Sequence, residues 1–312
     1  MSATSARLLV ITNAAAGTNE DEVLEPALEA MRQRADVKVA ATASPDELAE
    51  VLAQLDGRQV VVAGGDGSLH AVVQALYDAG LLHRTAVSLL PLGTGNDFAR
   101  GMGIPLDTLA AVAVVLDGDL RPVDLITDDE GGIVINNVHA GVSAQASRHG
   151  ARWKQRLGSV NLGKVGSPVG AAIAALRPQM IRLDILVDGN AVSSRKQPVL
   201  MLSVGNSSHV GGGTPITPDA TPEDGRADVM VSFATGGLSR LGFALTLRKG
   251  EHQQREDVRR VRGRVVSIRG RRDFWCSADG EITGPHRAKR WVVQSGALQM
   301  VLPHHGDEVE AS

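Results

Sequence analysis

An alternation of strand and helix patterns through residue 90 constrains the fold more than any other feature of the chain. Leu8–Ile11 is a continuous apolar run, the pattern of a strand buried on both faces. Asn19-Glu20-Asp21-Glu22 has the spacing of an N-cap with an acidic third position, and Val23, Leu24, Ala27, Leu28 and Met31 then form a helical stripe. Val37–Ala41 is a second strand. Ser44-Pro45-Asp46-Glu47 supplies a cap, a proline at the first helical position and a Glu to close the capping box, ahead of Leu48, Val51, Leu52 and Leu55. Gln59–Ala63 is a third strand, Leu69, Val72, Val73 and Leu76 stripe a third helix that stops at Gly80, and Ala86–Leu90 is a fourth strand. This series predicts a parallel sheet covered by helices on both faces.

Beyond about residue 120 the pattern changes. Val123–Thr127 and Ile133–Val138 flank a turn, Ile181–Val187 meets the turn Asp188-Gly189-Asn190, and Val199–Val204 follows. Ala227–Phe233, Val265–Ile268, Phe274–Ser277, Trp291–Val293 and Leu298–Leu302 add strands with little helix between them. An antiparallel sheet or sandwich is expected here. It is interrupted by Arg152–Leu176, expected to be partly helical, and by the Gly- and Pro-rich loop Gly205–Arg226.

Composition then removes several function classes. A chain of 312 residues has room for two domains, and a net charge of −3 with 21% charged residues fits neither disorder nor a globally basic nucleic-acid binder. Aromatic residues are only 3%, too few for a base-stacking platform. The 35 glycines follow no collagen period, so they mark tight turns and close backbone approaches to a ligand. Cys276 is the single cysteine, which leaves no internal disulfide and no cysteine zinc site, and a reducing cytoplasm is the expected compartment. Leu8–Ile11 is too short for a signal-peptide core, and Leu109–Leu116 and Val169–Leu176 are far shorter than the roughly 20 residues of a membrane span.

Two strand ends carry the chemistry. Val60–Ala63 runs into Gly64-Gly65-Asp66-Gly67-Ser68 and then a helix. Backbone N–H groups at such a junction can cradle phosphate, although an ordinary tight turn uses the same residues. The run is not G-x-G-x-x-G, and no lysine follows to make it a P-loop. The fourth strand ends in Leu90-Pro91-Leu92-Gly93-Thr94-Gly95-Asn96-Asp97-Phe98-Ala99-Arg100. In a doubly wound sheet both loops emerge at the carboxyl edge, where Asp66 and Asn96-Asp97 can face one nucleotide.

Together these two motifs resemble the diacylglycerol kinase catalytic domain shared by bacterial lipid kinases and sphingosine kinases. The first alone is also similar to NAD kinases and phosphofructokinases. The resemblance continues through Gly205-Asn206, Gly211-Gly212-Gly213, Pro218 and Asp224-Gly225-Arg226-Ala227-Asp228. Similar lipid kinases hold a structural Mg²⁺ in this stretch, and the matching oxygens are the carbonyls of Thr221 and Arg226 and the carboxylate of Asp224. A solvated acidic turn is the other reading. Ala278-Asp279-Gly280-Glu281 matches the family's Asp-Gly-Glu motif, a sequence that by itself is a common hairpin turn. Transfer of phosphate to an alcohol needs a carboxylate near the attacking oxygen. The resemblance gives that role to Glu281, has Asp279 orient it or the metal, and completes the catalytic set with Asp66 and Asp97. Four stretches depart from the family. Asn13-Ala14-Ala15-Ala16-Gly17 keeps only the Asn and Gly of Asn-Pro-x-Ser-Gly, Ser68 replaces Thr, His70-Ala71 replaces Asn-Glu, and Ser143 replaces an Asp.

The resemblance implies an N-terminal α/β domain, 1–122, with an NAD kinase/phosphofructokinase-like parallel sheet, and an antiparallel β-sandwich domain, 123–312. ATP and Mg²⁺ would bind between them, touching Asn13, Thr42, Gly64, Gly65, Asp66, Gly67, Ser68, Leu69, His70, Gly93, Thr94 and Asn96. A diacylglycerol-like alcohol would enter along Arg152–Leu176 or Gly205–Gly213, and the enzyme of phospholipid metabolism would be cytoplasmic and dock transiently on membranes. A kinase for a soluble acceptor such as NAD is one rival, opposed by Asn96–Arg100. A catalytically silent lipid- or nucleotide-binding regulator is another, suggested by Ser143 and Ala71. Residues 248–272 hold a local charge of +7, either a solvated face or an attraction for anionic headgroups. Gly158–Lys164 spells most of a P-loop, but Val165 stands where Ser or Thr is needed, and His304-His305 reads as tail.

Overall fold

A computed structural model describes residues 6–14, 18–142, 144 and 180–304. They form two compact units, and the expected division into residues 1–122 and 123–312 is not the one observed. The first unit takes the chain through Leu125, the loop Gly211–Gly213 and the chain from Gln294 onward, while Ile126–Val210 and Thr214–Val293 form the second. Pairing explains the exchange. Gln299 and Met300 lie parallel to Ala86 and Val87, and the Asp97 carboxylate holds Gly212 and Gly213.

In the first unit the order is β1 (Ala6–Asn13), α1 (Thr18–Arg32), β2 (Ala35–Thr42), α2 (Pro45–Ala53), β3 (Gln59–Gly64), α3 (Asp66–Asp78), β4 (Ala86–Pro91), α4 (Asp97–Gly101), α5 (Thr108–Asp117) and β5 (Asp119–Asp128). The expected α/β alternation is present, with parallel strands in the order β2-β1-β3-β4. Leu8, Val10, Val60, Val61, Val62, Val87 and Leu90 are wholly buried, as continuous apolar strands in a parallel sheet require. The strand order reverses between β1 and β3. Their carboxyl ends, Asn13 and Gly64, therefore flank the crevice where open α/β sheets bind ligands.

Ser44 caps α2 as expected, accepting the Glu47 N–H at 3.2 Å, while the Glu47 carboxylate takes the Ala43 N–H at 2.7 Å. Two boundaries differ. α1 starts at Thr18, so Asn19 lies inside its first turn, and α2 stops at Ala53, before the buried Leu55. Helix α5 accounts for the apolar run Leu109–Leu116, capped by Asp107 accepting the Ala110 N–H at 2.9 Å.

In the second unit the elements are β6 (Ile133–Val134), β7 (Asn137–Gly141), β8 (Leu183–Val187), β9 (Asn190–Ser193), β10 (Met201–Gly205), β11 (His209–Val210), β12 (Thr214–Pro215), β13 (Ala227–Ser232), α6 (Gly237–Arg248), β14 (Val258–Gly263), β15 (Val265–Ala278) and β16 (Glu281–Leu302), the last ending in the first unit. The antiparallel path is β14-β13-β10-β7-β15-β16, with the β8–β9 hairpin added on β15. This is the β-sandwich domain the sequence predicts.

The separate strands expected at Val265–Ile268 and Phe274–Ser277 are two halves of β15. Its first half pairs with β8 and its last three residues with β7, and the register shifts between Arg269 and Phe274. Such a bulge lets one strand serve two ladders. Trp291–Val293 and Leu298–Leu302 are likewise parts of β16. Ile133–Val138, expected as one strand, breaks at Ile135-Asn136, for a reason given by the site below.

The +7 run is not a uniform free face. Arg255 pairs with Asp257 at 2.7 Å, Arg262 bonds Asp228 at 3.1 Å and Asp224, and Arg260 bonds Asp219. The Arg152–Leu176 segment and the P-loop-like run lie outside the described residues, as does Ser143.

Candidate active site

The site begins where β3 and β4 end. Gly65 is the N-cap of α3 and offers no side chain to the first-turn N–H groups. The positive end of a 13-residue helix is therefore open to an anion. The glycines are there because the two loops touch. A Cβ on Gly93 would lie 2.6 Å from the Gly65 Cα, and one on Gly64 would lie 2.5 Å from the Ser68 hydroxyl oxygen. The Leu92 N–H also donates to the Gly64 carbonyl at 3.1 Å. Since the clash at Gly93 is backbone on backbone, Gly93→Ala is expected to cost about 1–3 kcal/mol and to weaken nucleotide binding. Chemical denaturation and ATP titration would check both; an unchanged midpoint would mean the loops separate without loss.

Both aspartates of this edge work on backbone. The Asp66 carboxylate accepts the N–H groups of Asp97 and Phe98, each at 2.9 Å, and so fixes the start of α4. Asp97 in turn accepts the N–H of Gly212 at 2.9 Å and of Gly213 at 2.8 Å. Asn96, in the left-handed region at φ 51°, closes its own loop by donating to the Gly93 carbonyl at 2.6 Å. Asp66, Asp97 and Asn96 thus form one chain of contacts ordering two glycine loops. Asn13 and Thr42 stand opposite each other at the ends of β1 and β2, and Thr94 is exposed at the tip of the β4 loop. Gly67 is exposed and Ser68 and His70 are half-buried in the first turns of α3. Leu69 turns its side chain away from the loop surface. It is 0% exposed and its N–H donates to the Gly65 carbonyl at 3.0 Å, so it serves the core under the site.

In the second unit, Asp279-Gly280 forms the two-residue turn joining β15 to β16. Both residues have positive φ, 46° and 91°, as a type I′ hairpin requires. The Asp279 carboxylate accepts three N–H groups, from Ile135 at 2.7 Å, Asn136 at 2.9 Å and Asn137 at 3.0 Å. These bonds break the strand expected at Ile133–Val138, because the same N–H groups cannot also serve a ladder. Glu281 follows two residues later and is exposed.

Beside this hairpin lies a buried polar network the sequence did not disclose. Asn137 donates to the His209 carbonyl at 2.9 Å, Asn206 to the Ile135 carbonyl at 2.8 Å, and Thr217 to the Ser207 carbonyl at 2.9 Å. The available signal was the run of Asn and Ser directly after apolar strand sequence, at Asn136-Asn137 and at Asn206-Ser207-Ser208. His139 lies in register with Ser203 and Ser277, and among the described residues neither of its ring nitrogens has a hydrogen-bond partner. Burial lowers its pKa to about 4 against the opposing pull of the Asp279 carboxylate.

An unfolded chain therefore takes up this proton near pH 6.5, and the folded one only near pH 4. Stability falls as pH drops through that window, by about 3 kcal/mol. His139→Gln should flatten this limb in urea titrations between pH 7 and pH 4; an unchanged limb would assign it to other groups.

The expected metal position does not fit a divalent cation in this arrangement. The Asp224 carboxylate accepts the Arg226 N–H at 3.0 Å and pairs with Arg262, which also binds Asp228. A guanidinium occupies the one carboxylate of the expected set, leaving the Thr221 and Arg226 carbonyls without a charged partner for a cation. Among the described residues no three His, Cys, Asp or Glu side chains converge as a metal cluster.

Comparison with known proteins identifies the family. Residues 7–127 match the family model described as diacylglycerol kinase catalytic domain, and residues 136–302 match that of the YegS C-terminal NAD kinase beta sandwich-like domain. The chain is 30% identical to a "Probable lipid kinase YegS-like" of Xanthomonas campestris, over 94% of this chain and 95% of that protein. It is 28% identical to a "Diacylglycerol kinase" of Staphylococcus saprophyticus, over 72% of this chain and 70% of that one. A solved diacylglycerol kinase structure from Bacillus anthracis superposes with a TM-score of 0.73 at 21% identity, covering 96% of this chain and 98% of that one. With both halves matched in order and the loops built as the motifs require, the chain belongs to the diacylglycerol kinase catalytic-domain family.

Proposed function

We propose that the protein transfers the terminal phosphate of ATP to the hydroxyl of a diacylglycerol-like lipid. The observation that carries this reading is the pair of abutting glycine loops at the carboxyl ends of β3 and β4, held in place by Asp66 and Asp97. The N–H groups of Gly67 and Ser68, at the positive end of α3, receive phosphate oxygens. Asn13 and Thr42 at the ends of β1 and β2, His70 in α3 and Thr94 on the β4 loop are assigned to the rest of the nucleotide, and with 3% aromatic residues in the chain the adenine rests on aliphatic and backbone groups. Bound Mg²⁺ would supply charge neutralisation at the phosphates beside these loops. Glu281 removes the proton of the lipid hydroxyl as that oxygen bonds to the γ-phosphorus. The bond from phosphorus to the β,γ-bridging oxygen breaks, and ADP leaves with the electron pair. Asp279 is a positioning residue that sets where Glu281 stands.

The names of the relatives, lipid kinase and diacylglycerol kinase, supply the acceptor class. Among the described residues no helix is long and apolar enough to cross a membrane. The test is incubation with γ-labelled ATP and Mg²⁺ against diacylglycerol, a sphingoid base, a polyprenol and NAD. Label in phosphatidic acid is the expected result. Label in NAD alone would overturn the lipid assignment, and ATP binding without any phosphorylated product would favour a regulator.

A further inference from the structure

Helix α6 is apolar on two opposite faces. Phe243 and Leu247 point inward, in a cluster with Leu200, Met201, Ile216 and Met230. His252 locks this side, its ring edge-on to Phe243 at 5.9 Å and its Nε2 2.8 Å from the Ile216 carbonyl oxygen. On the outer side Leu238, Leu241 and Leu245 are 89%, 59% and 58% exposed, the three most exposed large hydrophobic residues described. Their i, i+3, i+7 spacing places them within an arc of about 60°. Exposed leucines scattered singly need no explanation; three in one stripe on an anchored helix do.

The charge around the stripe indicates its partner. Gly237–Gly250 carries Arg240, Arg248 and Lys249 and no acidic residue, in a chain whose net charge is −3. Lys249 is exposed at the end of the stripe, whereas the half-buried Arg240 lies on the flank nearer Leu247; an exposed leucine stripe on a basic helix without acidic residues is the composition of one that lies in a membrane interface.

We infer that α6 is a docking element for anionic phospholipid bilayers, inserting Leu238, Leu241 and Leu245 while Lys249 meets the headgroups. The inference rests on the proposal that the acceptor is a lipid, and it names the surface by which the protein reaches it. Apolar insertion and headgroup attraction are two weak signals that together give reversible attachment.

The full chain should co-sediment with phosphatidylcholine vesicles containing phosphatidylglycerol, about tenfold less with pure phosphatidylcholine, and less again in high salt. Replacing all three leucines by Gln should lower vesicle affinity at least tenfold with an unchanged melting temperature. Lys249→Gln should lower it about fivefold on anionic vesicles only. Leu241→Trp keeps an apolar side chain, and its emission should shift to the blue when anionic vesicles are added. Wild-type affinity in the triple-leucine variant, or no blue shift, would overturn the inference. So would a dimer that the leucine substitutions dissociate, since the stripe would then cover a second copy.

The kinase reading is separated by a short-chain, water-soluble diacylglycerol. The triple-leucine variant should phosphorylate it at the wild-type rate while losing activity on vesicles. Failure of the wild type on that soluble substrate counts against the kinase reading alone, because vesicle binding is scored without turnover.

Discussion

Glu281→Gln should lower kcat by about 10²- to 10⁴-fold, the usual range for loss of a general base. The substitution keeps the side chain's size and hydrogen-bonding reach and removes only its ability to take a proton. Glu281 is exposed at the first position of β16, where its backbone pairs with Ala278, so the amide should fold as the acid does. The melting temperature should therefore stay the same, and ATP affinity by calorimetry should change by no more than about twofold. That combination separates roles. Loss of kcat with intact ATP binding assigns Glu281 to the acceptor hydroxyl. A parallel fall in ATP affinity would assign it to the nucleotide, and a loss of kcat smaller than tenfold would place the base elsewhere.

The parts of this site that the sequence discloses are those whose chemistry is local. Gly64, Gly65 and Gly93 are visible because a strand running into glycines has few uses, and the αβ alternation brings both loops to one edge. The Ser44 cap is likewise written within four residues. Long-range partners are not written that way. Nothing near Asp66 says that its carboxylate is spent on the N–H groups of Asp97 and Phe98, or that Asp97 holds Gly212 and Gly213. A motif reads consecutive residues alike, while helical geometry turns every third or fourth one, here Leu69, into the core.

Helix α6 was missed for a related reason. Leucines outside and Phe243 with Leu247 inside erase the one-sided stripe by which a helix is read. At Asp224 the family pattern suggested a metal ligand, and only the fold shows Arg262, 38 residues away, on the same carboxylate.

Asp279→Ala should be the most destabilising single change at the site, by about 5 kcal/mol. The native carboxylate receives three backbone N–H groups, and hydrogen bonds to a charged partner contribute about 1.5–3 kcal/mol each. Alanine would leave all three donors without their acceptor in a part-buried turn, and water entering there would recover some of the loss. Asp279→Asn keeps one acceptor oxygen and presents an NH₂ to the remaining donors, so it should lose roughly half as much. The left-handed backbone at φ 46° is tolerated by Asn and resisted by Ala, which widens the gap between the two variants. Urea unfolding of both measures the ordering.

A purely structural role predicts that surviving folded protein retains its kcat. A positioning role predicts that folded Asp279→Asn shows a lowered kcat at unchanged ATP affinity, because Glu281 has lost the clamp on its hairpin. Equal kcat in the folded wild type and Asn variant would show that Glu281 is held by the hairpin backbone alone. A kcat that falls in step with the number of N–H bonds lost would make the strand break at Ile135-Asn136 part of the catalytic apparatus, built to seat Asp279.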